Sequence, residues 1–168
     1  MNLKLSLFLA VLLSLSSNAF AENKKACSAP EYRQFDFWIG DWDVYSAKDQ
    51  LVGHNKIFPI LDGCALSENW TNVKGIPGVS YNFYDSAKGQ WHQTWISQTG
   101  GALYLNGHFV DGKMVLSGET KGKDGKVTIQ RITWTPLADG SVKQHWQVSK
   151  DDGKTWTDAF VGFYKAKK

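Results

Sequence analysis

Turn signals recur along most of this chain, and they constrain its fold more than any other sequence feature. Gly and Asp tolerate the positive φ that tight hairpin turns require. The segments between the turns have the length of strands and are rich in β-branched and aromatic residues. The turn signals lie at Asp62-Gly63, Gly75 to Gly78, Lys88-Gly89, Gly100-Gly101, Asp111-Gly112, Asp124-Gly125, Asp139-Gly140 and Asp152-Gly153.

Short strands at even spacing are typical of an antiparallel meander, and a meander closes best as a barrel or a sandwich. The spacing of a βαβ unit is missing from the sequence, which argues against a parallel sheet. We therefore predict an all-β fold, an antiparallel meander β-barrel of about ten strands. The predicted strands are 41–47, 52–59, 63–71, 79–85, 89–98, 102–110, 113–119, 126–135, 141–148 and 157–165.

A helix signal precedes the first strand. Ser28 can act as an N-cap, Pro30 suits the first turn, and Gly40 is a natural stop. Between them Phe35 and Trp38 supply an apolar side. We predict one short helix over 29–39 that closes one end of the barrel.

The N-terminus has the features of a secretory signal peptide. A positive Lys4 precedes an apolar run from Leu5 to Leu15, and Ala19-Phe20-Ala21 is a small-x-small cleavage site. The run is too short for a membrane span, and nothing later in the chain is apolar enough to be one. We expect a signal peptide over 1–21, a single domain over 22–168, and a periplasmic or secreted location.

The two cysteines indicate a disulfide, and the net charge narrows the classes of macromolecular partner. In an oxidising compartment Cys27 and Cys64 are most simply one disulfide, although two separate buried thiols are the alternative. The net charge is only +3, and the lysines are scattered. Scattered charge of this size is typical of a solvated surface, so we expect no nucleic-acid partner.

Three strands carry a polar residue between apolar neighbours on a face that should be buried. A solid core disfavours this pattern, because an unpaired buried polar group costs roughly 1–3 kcal/mol. A ligand cavity with apolar walls and a few polar anchors favours it, although these groups could instead bond each other or buried water. Around Gln130-Arg131 both faces are mixed, so a β-bulge there is a further expectation. The three faces comprise Cys64, Leu66, Glu68 and Trp70, then Trp91, Gln93 and Trp95, then Val142, Gln144, Trp146 and Val148.

The stretch from Phe35 to Val44, FDFWIGDWDV, resembles an uncharacterised bacterial domain family that opens with FDFWxGxWxV. Later segments are similar as well, so that the resemblance covers nearly the whole predicted mature chain. It implies a lipocalin-like barrel without an established activity. These segments are Asp62-Gly63-Cys64, Glu68-Asn69-Trp70, Tyr84-Asp85, Trp91 to Trp95 and Ser149 to Tyr164.

Within this stretch, Gly40-Asp41-Trp42 is similar to the G-x-W of lipocalins, whose Trp packs under a basic residue from a late strand. The resemblance implies that Trp42 is buried at the closed end. Arg131 is our candidate for the basic partner, because it is the only Arg in the strand region. A distant similarity to haem-binding ten-stranded barrels such as nitrobindin also remains open.

Few residues suggest catalysis or metal binding. We interpret His54, His92, His108 and His145 as surface or satisfied histidines, and we predict neither a metal nor a cofactor. Glu68 is the one acidic residue that we expect to be buried, with a pKa raised by desolvation unless Arg131 or a ligand cation pairs with it. The segment Ser149 to Trp156 matches the Asp-box of sialidases, which we interpret here as a braced hairpin.

These observations favour a binding protein over an enzyme. We predict that the barrel holds a small apolar or aromatic ligand between Trp70, Trp95 and Trp146. The predicted polar anchors are Glu68, Gln93 and Gln144, with Arg131 beside them. The alternatives are an enzyme that uses Glu68 with Arg131 or a nearby His, a haem-binding barrel, and a ligand-free scaffold that acts through its outer surface.

Overall fold

The computed structural model describes residues 25–168, and ten strands in this part of the chain form a closed antiparallel barrel. Each strand pairs with its neighbours in sequence, and the first strand pairs with the last. The predicted meander barrel is therefore confirmed. The predicted signal peptide and the predicted start of the mature chain at Glu22 lie outside the described residues. Within them, no helix has the length and apolar character needed to cross a bilayer.

The strands begin and end within a few residues of the predicted limits, since the turn residues set the boundaries. They are β1 (Gly40–Ser46), β2 (Leu51–Ile60), β3 (Ala65–Asn72), β4 (Pro77–Asp85), β5 (Gln90–Ser97), β6 (Ala102–Val110), β7 (Lys113–Lys121), β8 (Val127–Pro136), β9 (Val142–Ser149) and β10 (Thr157–Ala166).

The predicted short helical segment before β1 is confirmed, and it consists of two 3-10 turns, Pro30–Arg33 and Asp36–Trp38. Ala29 takes the N-cap position without a side-chain hydrogen bond, so the prediction that Ser28 caps this segment is wrong. In a 3-10 turn, side chains three residues apart lie on the same side. Phe35 and Trp38 have this spacing, and their rings stack with centroids 4.9 Å apart.

These turns close one end of the barrel, as predicted, and we call residues 30–38 the plug. Phe35 and Trp38 are fully buried. Phe35 makes edge contacts with Trp91 and Trp134 at 5.6 and 5.2 Å between ring centroids, and Trp38 contacts Tyr164 at 6.2 Å. A third 3-10 turn, Leu61–Gly63, leads into β3.

One disulfide and one hydrogen bond hold the plug in place. Cys27 and Cys64 form the predicted disulfide, which joins the N-terminal arm to the start of β3. Trp42 on β1 is buried, and its indole Nε1 donates to the Trp38 carbonyl oxygen at 3.0 Å. This hydrogen bond therefore joins the plug directly to the barrel wall.

The barrel has two register shifts in the described strands, at Val44/Tyr45 in the pairing of β1 with β2 and at Asp158/Phe160 in the pairing of β10 with β9. The bulge that we expected at Gln130-Arg131 is absent from this set, because β8 pairs continuously with both neighbours. The buried polar residue on β8, Gln130, has a different cause, since it accepts a hydrogen bond from the indole of Trp146.

Candidate functional site

A cavity of about 280 Å³ lies inside the barrel, beyond the plug. Trp134 and Tyr164 lie between the two, since each contacts Trp38 and also lines the cavity. An engineered apolar cavity of about 150 Å³ accommodates benzene, so this cavity has room for a larger organic molecule. Its lining residues are Glu68, Trp70, Gln93, Trp95, Leu103, Ile132, Trp134, Gln144, Trp146, Ala159, Phe160 and Tyr164.

The structure brings together six of the seven residues that we predicted to contact a ligand. Glu68 and Trp70 reach the cavity from β3, Gln93 and Trp95 from β5, and Gln144 and Trp146 from β9. Their strict alternation along each strand places them on the inner face. Whether they contact a ligand stays a prediction.

Arg131 is the exception, and its predicted place in the interior is wrong. Its guanidinium lies 3.7 Å from the ring centroid of Trp156 and donates to Gln147 Oε1 at 2.8 Å. Because Gln130 and Ile132 on either side of it are buried, alternation directs Arg131 outward. There its charge remains hydrated, and it is the basic partner of neither Trp42 nor Glu68.

The carboxylate of Glu68 is the centre of the polar wall of the cavity. Its Oε1 accepts from Asn55 Nδ2 at 2.7 Å, and its Oε2 accepts from the Ser80 hydroxyl at 2.5 Å. Both donors are neutral and buried, and they lie on β2 and β4 on either side of β3. None of the salt bridges within residues 25–168 involves Glu68.

Hydrogen bonds extend this wall along β4 and β5. Asn82 Nδ2 donates to the Ser80 hydroxyl at 2.8 Å, and Gln93 Nε2 donates to Asn82 Oδ1 at 2.7 Å. The chain from Glu68 through Ser80 and Asn82 to Gln93 therefore fixes the side-chain amide of Gln93 in one orientation. Its Nε2 points along the wall, and its Oε1 is left as an acceptor.

A second branch of hydrogen bonds crosses to the end of the chain. Asn55 Nδ2 lies 3.5 Å from the hydroxyl oxygen of Tyr164, and that hydroxyl donates to Gln144 Oε1. This branch joins β2, β10 and β9 through the barrel interior. Four buried side-chain polar atoms in the described part of the chain have no protein partner: Asn55 Oδ1 and Trp134 Nε1 in the barrel, and Asp36 Oδ1 and Trp38 Nε1 in the plug.

Burial shifts the acid–base behaviour of the two ionisable groups in the cavity. Desolvation raises the pKa of Glu68, and the hydrogen bonds from Ser80 and Asn55 offset only part of that increase. Desolvation also raises the pKa of Tyr164 well above its ordinary value, and the nearby charge of Glu68 adds to the effect. Tyr164 is thus a neutral phenol wherever Glu68 titrates.

The aromatic wall stays open because three of its rings lie against glycines of the barrel. A Cβ on Gly78 would lie 2.9 Å from the ring of Trp95, and one on Gly162 would lie 2.5 Å from the ring of Phe160. Trp70 lies against Gly53 in the same way. Glycine at these positions leaves room for each ring to approach the backbone of the wall closely.

Trp146 and the bulge in β10 complete the wall. The Trp146 indole Nε1 donates to Gln130 Oε1 at 2.8 Å, and Gln130 Nε2 donates to the Thr120 hydroxyl at 2.8 Å. Gln130 is thus a buried brace for the indole, which explains the polar residue on the inner face of β8. The register shift in β10 places the consecutive residues Ala159 and Phe160 in the cavity wall.

Sequence reasoning missed several residues of this site, chiefly Asn55, Ser80 and Asn82. On β4 the faces are inverted, since Ser80 and Asn82 point inward while Tyr81 and Phe83 are exposed. A hydrophobic pattern assigns the apolar set to the inside, so no local signal would have found them. On β2 the alternation of Gly53, Asn55 and Ile57 was a usable signal.

Other predicted features lie away from the cavity. Three of the four histidines bond to outward neighbours: His54 to Asp43, His92 to Asn106 and Thr94, and His145 to Asp158. The Asp-box segment is a braced hairpin, as predicted, in which the Asp151 carboxylate accepts from the backbone and hydroxyl of Thr155. Those bonds lower the pKa of Asp151 to about 2.

A second, less enclosed cavity of about 420 Å³ lies on the outer face beside the disulfide. Leu61, Tyr81 and Phe83 contribute to its lining, which contains no charged side chain. The interior cavity is the less open of the two and contains a carboxylate and two amides, so it is the better candidate for a specific site.

Comparison with known proteins adds no functional information, since no protein-family model matches the chain and a search of curated proteins finds no significant match.

Proposed function

We propose that this protein binds a small apolar or aromatic molecule inside the barrel. The observation that carries the proposal is the interior cavity, whose lining combines four indole rings with the buried Glu68 and Gln93 and the half-buried Gln144. Binding sites for small molecules commonly combine mostly apolar walls with a few fixed polar groups. The glycines behind the rings support the same reading, because they keep open a space that larger residues would close.

Titration with 2-naphthol, a small neutral aromatic, tests the proposal. Energy transfer from the wall tryptophans should quench their emission in a saturable way, and calorimetry should give one site per chain. Trp146→Ala should weaken binding roughly 5- to 30-fold, because it removes about 1–2 kcal/mol of ring contact. Trp156→Ala is the matched control, since that indole lies under Arg131 on the outer surface.

The proposal fails if 2-naphthol does not saturate the emission change, or if Trp156→Ala weakens binding as much as Trp146→Ala. Equal effects would place the probe on the outer surface and favour the scaffold alternative. Competition by a second aromatic of similar size would distinguish a defined site from nonspecific adsorption.

An exported location belongs to the same proposal. A disulfide persists mainly in oxidising compartments, and Cys27 and Cys64 form one. Fractionation of the native host, together with N-terminal sequencing of the mature chain, tests it. Cleavage before Glu22 is the expected result, and an intact N-terminus on a cytoplasmic protein would contradict it.

A further inference from the structure

We propose that the ligand of the interior cavity is an organic cation, namely an amine that is protonated at neutral pH and attached to an aromatic or apolar body. This inference rests on the proposed binding function and adds the chemical class of the ligand. Its basis is a buried carboxylate without a positive partner, placed among indole rings.

The first observation is that Glu68 is buried without a positively charged partner. The side chain is 5% exposed, and the two groups that bond it, Asn55 and Ser80, are neutral. No Lys, Arg or His belongs to the cavity lining. Burying a carboxylate without a counter-ion is costly, and a cation that arrives with the ligand removes most of that cost.

The second observation is that Glu68 and Gln93 retain unused hydrogen-bond acceptors. A carboxylate offers about four lone-pair directions, and Glu68 uses one on each oxygen. Gln93 donates through Nε2 to Asn82, which leaves its Oε1 as a further acceptor in the lining. A primary ammonium carries three donors and no acceptor, so its needs match what Glu68 and Gln93 leave unused.

The third observation is the aromatic wall of the interior cavity. Trp70, Trp95 and Trp146 line the cavity together with Trp134, and Phe160 adds a further ring. The face of an indole attracts a cation more strongly than that of any other side chain. An anion would meet the negative faces of these rings and the carboxylate, with no basic group in the lining to offset them.

Three probes of similar size and different charge separate this inference from the proposed function. They are 2-phenylethylamine, which is protonated at neutral pH, 2-phenylethanol, which is neutral, and 3-phenylpropionate, which is anionic. Calorimetry on the full mature chain should give tighter binding of the amine than of the alcohol by at least about 10-fold, the value expected for a charge-assisted hydrogen bond. The carboxylate should bind most weakly.

Two isosteric variants identify the source of the preference. Glu68→Gln removes the buried charge and should lower the amine-to-alcohol preference by about 10-fold, to near unity. Glu119→Gln is the matched control, because it removes the same charge from an exposed position on β7. The control should retain the full preference. Near-UV circular dichroism establishes that each variant keeps its packed core.

The outcomes are distinct. If the alcohol binds as tightly as the amine in the unmodified protein, the inference is overturned while the proposed function stands. That result would mean that Glu68 keeps its proton and donates it to a neutral ligand. A preference that persists in Glu68→Gln also overturns the inference, since the charge would then act from elsewhere. If neither these probes nor 2-naphthol binds, the proposed function itself fails. The comparison in the unmodified protein remains decisive even if Glu68→Gln does not fold.

Discussion

The two halves of the barrel interior are built from the same residue types, yet one is solid and the other hollow. Around the plug, the rings of Phe35, Trp38, Trp91 and Trp134 pack against one another at 4.9 to 5.6 Å between centroids. Beyond Trp134, the rings of Trp70, Trp95 and Phe160 instead lie against glycines of the barrel.

This contrast shows that aromatic content alone does not determine whether an interior is filled. Rings fill the interior where the plug supplies partners for them. They form a wall where glycines let them approach the backbone closely and where polar groups occupy the adjoining positions. The solid half should therefore carry more of the stability, and the hollow half should carry the specificity.

The largest expected effect is a loss of stability in the solid half. Trp38→Ala should lower the free energy of unfolding by about 3–5 kcal/mol, because it leaves a large cavity among fully buried rings. Trp146→Ala should cost less than half as much, since Trp146 is only half-buried. Urea unfolding followed by circular dichroism measures both. Equal losses would show that the two halves do not differ in packing.

Removing the tether of the plug should have the next largest effect. The double variant Cys27→Ser/Cys64→Ser should lose about 3 kcal/mol, because the disulfide closes a long loop and restricts the unfolded chain. In the folded fraction the affinity for 2-naphthol should stay within about two-fold, since neither cysteine lines the interior cavity. A large loss of affinity would mean that the plug shapes the cavity directly.

Two glycine variants sharpen the contrast within the hollow half. A Cβ on Gly53 would lie 2.5 Å from the Thr71 carbonyl oxygen as well as against Trp70, whereas the three atoms nearest to one on Gly78 all belong to the Trp95 ring. Gly53→Ala should cost about 1–3 kcal/mol, because the added methyl group clashes with a backbone oxygen that cannot move aside freely. Gly78→Ala should cost less, and should weaken 2-naphthol binding because Trp95 moves into the cavity. Unchanged affinity would contradict the role assigned to that glycine.

The smallest effect should be a pH dependence that comes from Glu68. Its pKa is higher in the folded chain than the ordinary value of 4.5, so the folded state binds more protons between those two values. The free energy of unfolding should therefore fall as the pH rises through that interval and then level off. Tyr164, the other titratable group beside Glu68, stays neutral there.

The difference between the unmodified protein and Glu68→Gln isolates this effect, because the other carboxyl groups titrate in both. Thermal unfolding between about pH 4 and pH 8 should show the stability advantage of the unmodified chain decreasing with pH. A difference that rises with pH would mean that the carboxylate is stabilised by its surroundings, and would weaken the case for a missing cation.

Much of the site could be predicted from the sequence because its residues alternate with period two between recognisable turns. Glu68 and Trp70 on β3, like Gln144 and Trp146 on β9, combine a large ring with a polar neighbour on the same face. That combination marks an inner wall regardless of what lies opposite. The disulfide was predictable for a similar reason, since the sequence contains only two cysteines.

The incorrect and missed predictions of interior residues have specific physical causes. Arg131 was placed inside because it is the only Arg in the strand region, although alternation with Ile132 and Trp134 directs it outward. On β4, Ser80 and Asn82 face inward against the hydrophobic pattern because Glu68 and Gln93, on the neighbouring strands, supply their hydrogen-bond partners. Neither partner is visible from β4 itself.

The sequence by itself determined where the strands begin and end, since turn chemistry and a period of two are local properties of the backbone. Only the tertiary structure decided which interior groups meet. Asn55 approaches Tyr164 across a sequence separation of 109 residues, and closure of the sheet between β1 and β10 makes that approach possible. The division into a solid and a hollow half arises in the same way, because it depends on the plug occupying one end of the closed barrel.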